Sequence, residues 1–399
     1  MAYQFPATRA AGIKRLATFV PLAGRDYASG RNTDNGPEGQ AHVSLLSPYL
    51  RHRMIAEPEV IRAVLARHSS SAAEKYIQEV LWRTYWKGWL ELRPAIWSRF
   101  HDERDRMRAS FPDARAIAAA EGGMTGIDGF DDWARELVET GYLHNHARMW
   151  FASIWIFTLR LPWTLGADFF LRHLIDADPA SNTLSWRWVA GLQTAGKTYL
   201  ATADNIARFT GGRFAPKGLA RAAVALTEAR IEAPGALPSA PASIGAGLSL
   251  LLVTAEDMSP ETLFCDAAPI SAVSIMIEPD LSAGEPAKRF MAEAANDTAC
   301  RLTTYYRGKA EVSPVIDAES VIAAAESAKV RRIVTAYAPV GPVATALREM
   351  VPTLANAGIN LYQIRRPWDT RFWPHAKKGF FAFKEQIPAG LVAEGLAWP

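Results

Sequence analysis

Residues 174–188 read Leu-Ile-Asp176-Ala-Asp178-Pro-Ala-Ser-Asn182-Thr-Leu-Ser-Trp186-Arg-Trp188. Two acids stand two residues apart in a loop, followed by a helix start capped by Ser181 or Asn182. Two carboxylates could touch a cation, but a calcium loop supplies more oxygen ligands than this. Upstream, Leu143–Leu161 and Gly166–Ile175 read as buried helices. Still further upstream, Ala7–Phe19, Glu57–Arg67, Ser71–Leu90 and Phe130–Thr140 carry apolar residues at helical spacing. Ser residues precede the third of these and Gly141 follows the last, as helix start and stop signals. Residues 1–230 are therefore expected to be all-α.

Downstream the character changes. Residues 231–247 are rich in Pro, Gly, Ala and Ser and read as a linker. Beyond it, Leu248–Thr254, Ile270–Ile277, Arg332–Ala336 and Asn360–Ile364 are short apolar runs of the kind found in buried parallel strands. Helical patterns at Glu285–Asp297, Ser320–Ala328 and Val343–Ala357 separate them. Residues 248–399 thus predict an α/β domain with a mainly parallel sheet. No G-x-G-x-x-G or P-loop pattern follows any strand, so the usual phosphate cradles are absent from that half.

Composition narrows the function classes. The chain has 399 residues, 49% hydrophobic and 21% charged, which is a folded composition. Its net charge of +3 excludes a grossly basic nucleic-acid coat. The charge is uneven: 29 Lys+Arg stand against 23 Asp+Glu in residues 1–230, and 15 against 18 in the remainder. Two cysteines, Cys265 and Cys300, exclude a disulfide scaffold and a four-cysteine metal site, and both read as free thiols. The longest apolar stretch, Met149–Trp163, contains Arg160 and Pro162 and falls short of the ~20 residues of a membrane span. A cytoplasmic protein with no membrane partner is expected. Ten of 13 tryptophans fall between Trp82 and Trp188, so whatever uses them lies in the helical half.

Three more segments there carry chemistry. Tyr27-Ala-Ser-Gly-Arg31-Asn32 and Ser44-Leu45-Leu46-Ser47-Pro48 offer hydroxyls and N–H groups ahead of helices, where phosphates bind. In Glu79-Val-Leu-Trp82-Arg83, a carboxylate and an indole share one helix face. In His144-Asn145-His146-Ala-Arg148-Met149, the histidines are two apart and diverge on a helix, so they do not chelate one metal. No nucleophile–base–acid set can be assembled, and no metal is expected.

In order and spacing, these blocks resemble the flavin-binding catalytic domain of the DNA photolyase/cryptochrome superfamily over about residues 7–215. The matching positions are Tyr27…Arg31-Asn32, Val43-Ser44-Leu45-Leu46-Ser47-Pro48, Glu79…Trp82-Arg83, Thr125-Gly126, Gly141…His144-Asn145-His146…Arg148-Met149 and Asp176-Ala177-Asp178…Asn182…Trp186…Trp188. The resemblance implies an FAD site and leaves an antenna chromophore without support. Tyr27 and Ser44, Leu45, Leu46 and Ser47, with Arg83, would hold the diphosphate. Arg148 and Asp176 would pair beside the flavin ring, with Ala177 and Asp178 adjoining the adenine–ribose side and Asn182 opposite flavin N5. Glu79, Trp82, Asn145, His146, Met149 and Trp188 match positions that meet a flipped DNA lesion. Trp186 and Trp163 match two members of an electron-transfer chain. The distal member has no counterpart near Ser110–Pro112; Trp97, Trp150, Trp155 and Tyr142 are candidates.

Val43, His146 and Ala177 replace a Thr, an Arg and a Gly of the family pattern. The α/β half follows the helical half, as in an inverted-topology bacterial class of the superfamily. The implied activity is light-dependent repair of cyclobutane pyrimidine dimers by a monomer, with preference for single-stranded DNA. Arg51, Arg53, Lys87, Arg104, Arg106 and Arg108 are expected along a phosphate track. A blue-light photoreceptor and a 6-4 photolyase are the alternatives.

Overall fold

The computed structural model describes residues 4–39, 42–239, 247–264, 269–277, 283–314 and 316–396. Cys265 and residues 240–246 of the expected linker lie outside them. The first part is helical: α1 (Arg9–Phe19), α2 (Arg25–Gly30), α3 (Ser47–Arg51), α4 (Glu57–Leu65), α5 (Ser70–Glu91), α6 (Ala95–Ser110), α7 (Ala114–Glu121), α8 (Phe130–Thr140), α9 (Asn145–Ser153), α10 (Trp163–His173), α11 (Pro179–Val189) and α12 (Ala203–Phe209). Helix α5 is central. The Ser69 hydroxyl caps it, and its second half buries Thr84, Tyr85, Trp86, Lys87, Gly88 and Trp89 on both sides. A helix apolar all round belongs inside a protein. Helix α8 ends at Gly141, whose φ of +71° makes the left-handed cap that glycine allows.

The apolar stretch read as one helix over 143–161 is α9 followed by a π-turn at Ile154–Thr158. The stretch read from Gly166 begins at Trp163, one residue after Pro162. The cap expected at Ser181 or Asn182 is instead Asp178, whose carboxylate accepts from the Ser181 N–H at 2.7 Å. Pro179 fits the first turn, so the helix starts earlier.

After an irregular run through residue 239 come β1 (Ser249–Val253), β2 (Ile270–Met276), α13 (Glu285–Tyr306), β3 (Ala310–Ser313), α14 (Ala318–Ser327), β4 (Arg332–Ala336), α15 (Pro342–Asn356), β5 (Asn360–Ile364), α16 (Pro367–Phe372), α17 (Phe380–Lys384) and α18 (Ile387–Ala393). The sheet is parallel throughout, in order β3-β2-β1-β4-β5. The four expected strands are present. Strand β3 was missed because it is a half-exposed edge with a charged residue in it and no apolar run.

The two-residue period of β1 divides its side chains between two cores. Leu250 and Leu252 pack with Val321, Ile333 and Leu347 beneath α14 and α15. Leu251 and Val253 join one continuous core that runs through α13 into the helical half. In an open α/β sheet, the crevice at the carboxyl ends of the strands where the order reverses is the usual ligand site. Here that crevice, between β1 and β4, meets protein. After β1, His52 Nδ1 faces the Ala255 carbonyl at 2.8 Å and Met258 N–H donates to the His52 carbonyl at 2.9 Å. After β4, Tyr337 donates its hydroxyl to Glu91 of α5 at 2.7 Å. The ends of the sheet's central strands thus clamp α3 and α5. Close approach is possible at Gly88, where a Cβ would stand 2.8 Å from the Trp373 Cα. No described helix is long and apolar enough to cross a membrane.

Candidate active site

The phosphate-type residues gather around α2, the turn before α3, and α5. The ring of Tyr27 meets that of Tyr76 edge-on at 5.0 Å. Ser44 accepts the Leu46 N–H, and between them Leu45 sits at φ +53°, an unfavourable conformation for a residue with a Cβ. Such strain persists only where the surroundings fix it. Burial raises the Tyr27 phenol well above its ordinary value, with the Glu79 charge adding to it, so the hydroxyl stays a neutral donor.

Four cations converge on the loop after α10. Arg148 donates to Asp176 at 2.9 Å and, through Nε, to the Leu143 carbonyl. Asp178 faces Lys87 at 3.4 Å, Arg51 at 3.8 Å and Arg83 at 3.9 Å. Burial would raise both carboxyls, but the cations outweigh it and hold them below the usual range. Both acids are ionised at neutral pH. Ala177 lies between them and gives its carbonyl to Arg51 Nε at 2.7 Å. Asn182, buried at the start of α11, donates its amide to the Ala167 carbonyl at 2.9 Å. A carbonyl can only accept, so the Asn182 amide nitrogen is fixed there and its oxygen points away, available as an acceptor.

Glu79 behaves differently. Its side chain is exposed, and nearby protein atoms still desolvate the carboxyl. The desolvation raises its carboxyl, against the pull of Arg31. Trp82, one turn on, is half-buried and meets Tyr85, Trp86 and Phe380. Phe380 stacks on it at 3.6 Å and 9°, so a base can reach only the other face or the edge of the indole. Asn145, the first residue of α9, is exposed, and Met149 one turn later is half-buried. Trp188 is 36% exposed and stacks on Tyr199 at 5.7 Å. The α2 segment joins two of these groups: Arg31 acts on Glu79, and the adjacent Asn32 carbonyl meets His146 Nδ1 at 2.8 Å.

Several expectations change. His146 is half-buried, with its ring stacked on Trp150 at 4.6 Å. His144 is buried and accepts the His146 N–H at 3.2 Å; burial lowers it to about 4. Arg51, Arg53 and Lys87 are not a phosphate track. They are buried on acids, Arg51 on Glu256 through two bonds of 2.8 Å and Arg53 on Asp369 at 2.6 Å. Arg104 and Arg108 turn to Asp168, and Arg106 stays exposed.

Trp186 is buried and meets Phe170 at 5.1 Å and Trp155 edge-on at 6.3 Å. Trp163 meets Phe100 at 5.7 Å, and Phe100 stacks on Trp97 at 5.5 Å. The sequence reading missed Phe380 and Glu256 altogether. Both come from the second half and reach the site only through tertiary docking. The aromatic run Phe380-Phe381-Ala-Phe383 was the one visible signal.

Residues 76–216 match the family described as the FAD binding domain of DNA photolyase. The deoxyribodipyrimidine photo-lyase of Streptomyces griseus is 33% identical over 185 residues, 46% of this chain and 39% of that protein. That of Agrobacterium fabrum is 32% identical over 182 residues, 45% of this chain and 37% of the relative. Among solved structures, a bacterial class III photolyase from Agrobacterium tumefaciens is 27% identical, covering 51% of this chain and 43% of that one, with a TM-score of 0.41. A cryptochrome from Synechocystis sp. PCC6803 is 24% identical, covering 53% and 44%, with a TM-score of 0.45. The chain thus matches about two fifths of the length of these curated relatives. Over residues 76–216 the chain is thus similar to the FAD-binding domain of the DNA photolyase/cryptochrome superfamily.

The residues present suit that cofactor. Arg83 Nη1 and Asp178 Oδ2 face each other as an ion pair at 3.9 Å but make no hydrogen bond among the described residues, which leaves hydrogen-bonding capacity for a polar ligand. Hydroxyls and a guanidinium for phosphates, an ion pair and an oriented amide are the donor set a flavin dinucleotide requires.

Proposed function

We propose that the chain is a light-driven photolyase for cyclobutane pyrimidine dimers, acting on DNA and preferring single strands. The observation that carries this is Glu79: an exposed carboxylate, raised by its surroundings, one helical turn from an indole. A photoreceptor has no use for such a group. Protonated, it donates a hydrogen bond to a pyrimidine carbonyl; the amide of Asn145, across the α2 segment, supplies a second polar contact. Trp188 and the free side of Trp82 provide apolar faces, and Met149 fills between them.

Bound FAD would supply a light-excited electron that is lent to the dimer and returned after two carbon–carbon bonds break, leaving the reaction redox-neutral. Tyr27, Ser44, Leu45, Leu46, Ser47 and Arg83 would hold its diphosphate. Arg148, Asp176, Ala177 and Asp178 would border the ring and adenosine side, and the fixed Asn182 oxygen would accept from a ring N–H. Trp186 and Trp163 would carry electrons inward. The division 1–230, 231–247 and 248–399 belongs to this reading, as does membership of the inverted-topology class. The inward turn of Arg51, Arg53 and Lys87 leaves few cations for a duplex backbone, which supports single-strand preference.

A 6-4 photolyase wants a histidine that is protonated near neutral pH beside the lesion. Burial lowers both His144 and His146, which disfavours it. The test is to illuminate the reduced protein with oligo-dT carrying cyclobutane dimers and with a 6-4 oligonucleotide, following thymine absorbance. Recovery with the dimer alone is expected. Recovery with the 6-4 lesion alone would replace the lesion assignment, and recovery with neither would leave the photoreceptor.

A further inference from the structure

Beside the Trp82–Phe380 stack the second half of the chain presents an unusual surface. Phe381 is 86% exposed, although Phe380 and Phe383 on the same short helix are buried. Lys377 and Lys378 precede it, both exposed and neither ion-paired among the described residues. An exposed phenyl ring on a mobile tail would mean little. This one is rigidly held. Arg93 donates to the Lys377 carbonyl at 2.7 Å and Tyr85 donates to the Lys378 carbonyl at 2.9 Å. Lys384 pairs with Glu74 of α5 at 2.7 Å. The backbone is pinned at both ends while the side chains of Lys377, Lys378 and Phe381 point to solvent.

We propose that residues 377–381 form a second contact for single-stranded nucleic acid, with Phe381 as a stacking platform for an unpaired base and Lys377 and Lys378 on the adjoining phosphates. The assignment rests on the reading above that the chain binds DNA, and extends it to the α/β half. An aromatic plate beside cations is what sequence-tolerant single-strand binding uses. The occupant is a polynucleotide rather than an apolar peptide because the ring is flanked by two unpaired ammonium groups. The same short helix carries Phe380, whose ring lies on Trp82 of the proposed lesion pocket. Preorganisation adds to the contact, because little ordering remains to be done on binding.

The test uses the full-length flavin-loaded protein in the dark and fluorescein-labelled, undamaged oligo-dT, with anisotropy measured across a salt series. Phe381→Ala is expected to weaken binding roughly fivefold to a hundredfold with the salt slope unchanged. Phe381→Trp should retain affinity. Lys377→Ala/Lys378→Ala should lower the salt slope by about 1.4. Because Phe381 is exposed, its melting temperature serves as the folding control and should not move. If the wild type binds and these variants bind equally well with the same slope, the second contact is disproved while the DNA reading stands. If the wild type does not bind oligo-dT at any salt, both fall. If Phe381→Ala changes the sedimentation of the protein and not its affinity, the surface is a self-interface and the proposal is wrong.

Discussion

The ring of Phe380 lies flat on the indole of Trp82, 3.6 Å away and 9° from parallel, so the α/β half supplies one wall of the candidate site. Phe380 is 6% exposed and also meets Tyr85 and Phe383. Phe380→Ala removes that wall. A loss of about 3–5 kcal/mol of stability is expected from truncating a buried phenylalanine. Trp82 gains water on its second face, so its fluorescence should shift to the red. Loss of stability without that shift would mean that the cavity collapses onto the indole.

The docking also has an ionic core. Arg51 binds Glu256 through Nη1 and Nη2, while Lys87 lies 3.5 Å from the same carboxylate and 3.4 Å from Asp178. All four side chains are buried. Removing one partner leaves a buried charge uncompensated, so Glu256→Ala should cost about 3–5 kcal/mol. It should also loosen the 176–178 loop, because Arg51 holds the Ala177 carbonyl. Denaturant unfolding checks the first effect, and the rate of flavin loss on dilution checks the second. A stability loss with unchanged flavin retention would confine the network to docking.

His52 sits in the same interface with carbonyls on both sides, Ala255 at 2.8 Å and Ile175 at 3.4 Å. Both would welcome a second proton, and Glu256 favours it too. Burial and the adjacent Arg51 charge win, and the ring is lowered to about 4. The folded state therefore binds fewer protons than the unfolded state, where histidine titrates near 6.5. Stability from this group is full above pH 6.5 and falls as the pH drops toward 4. His144 and His173, also lowered to about 4, act in the same direction. Melting temperature should fall across that window, and His52→Asn should flatten part of the slope.

The helical half was legible because its chemistry is local. Glu79-x-x-Trp82-Arg83 and Asp176-Ala-Asp178-x-x-x-Asn182 each lie on one element or one loop, so sequence spacing maps directly onto geometry. The four apolar strands were legible for the same reason. What could not be read is what docking decides. Arg51, Arg53 and Lys87 look like free cations in the sequence, and only the fold brings Glu256, Asp257 and Asp369 to them. Phe380 reaches Trp82 across almost 300 residues of chain. Strand β3 has no apolar run, because its four half-exposed residues include Glu311 and Ser313.

Glu79 tests whether the site costs the fold stability. Its carboxyl is raised, chiefly by desolvation. The folded state then holds a proton at pH values where the unfolded chain has released it, and the penalty of ionising Glu79 in the fold grows as pH rises above the unfolded carboxylate range. Below that range both states are protonated and no difference remains. Glu79→Gln keeps the shape and removes the titration, so its melting temperature should exceed that of the wild type at pH 7 and converge with it below pH 4. The same variant keeps an amide donor but cannot ionise, so it should retain FAD and part of the dimer repair, whereas Glu79→Ala should retain FAD and lose most of it. If Glu79→Gln is less stable than the wild type at pH 7, the carboxylate is a structural partner of Arg31 rather than a strained group held for the lesion.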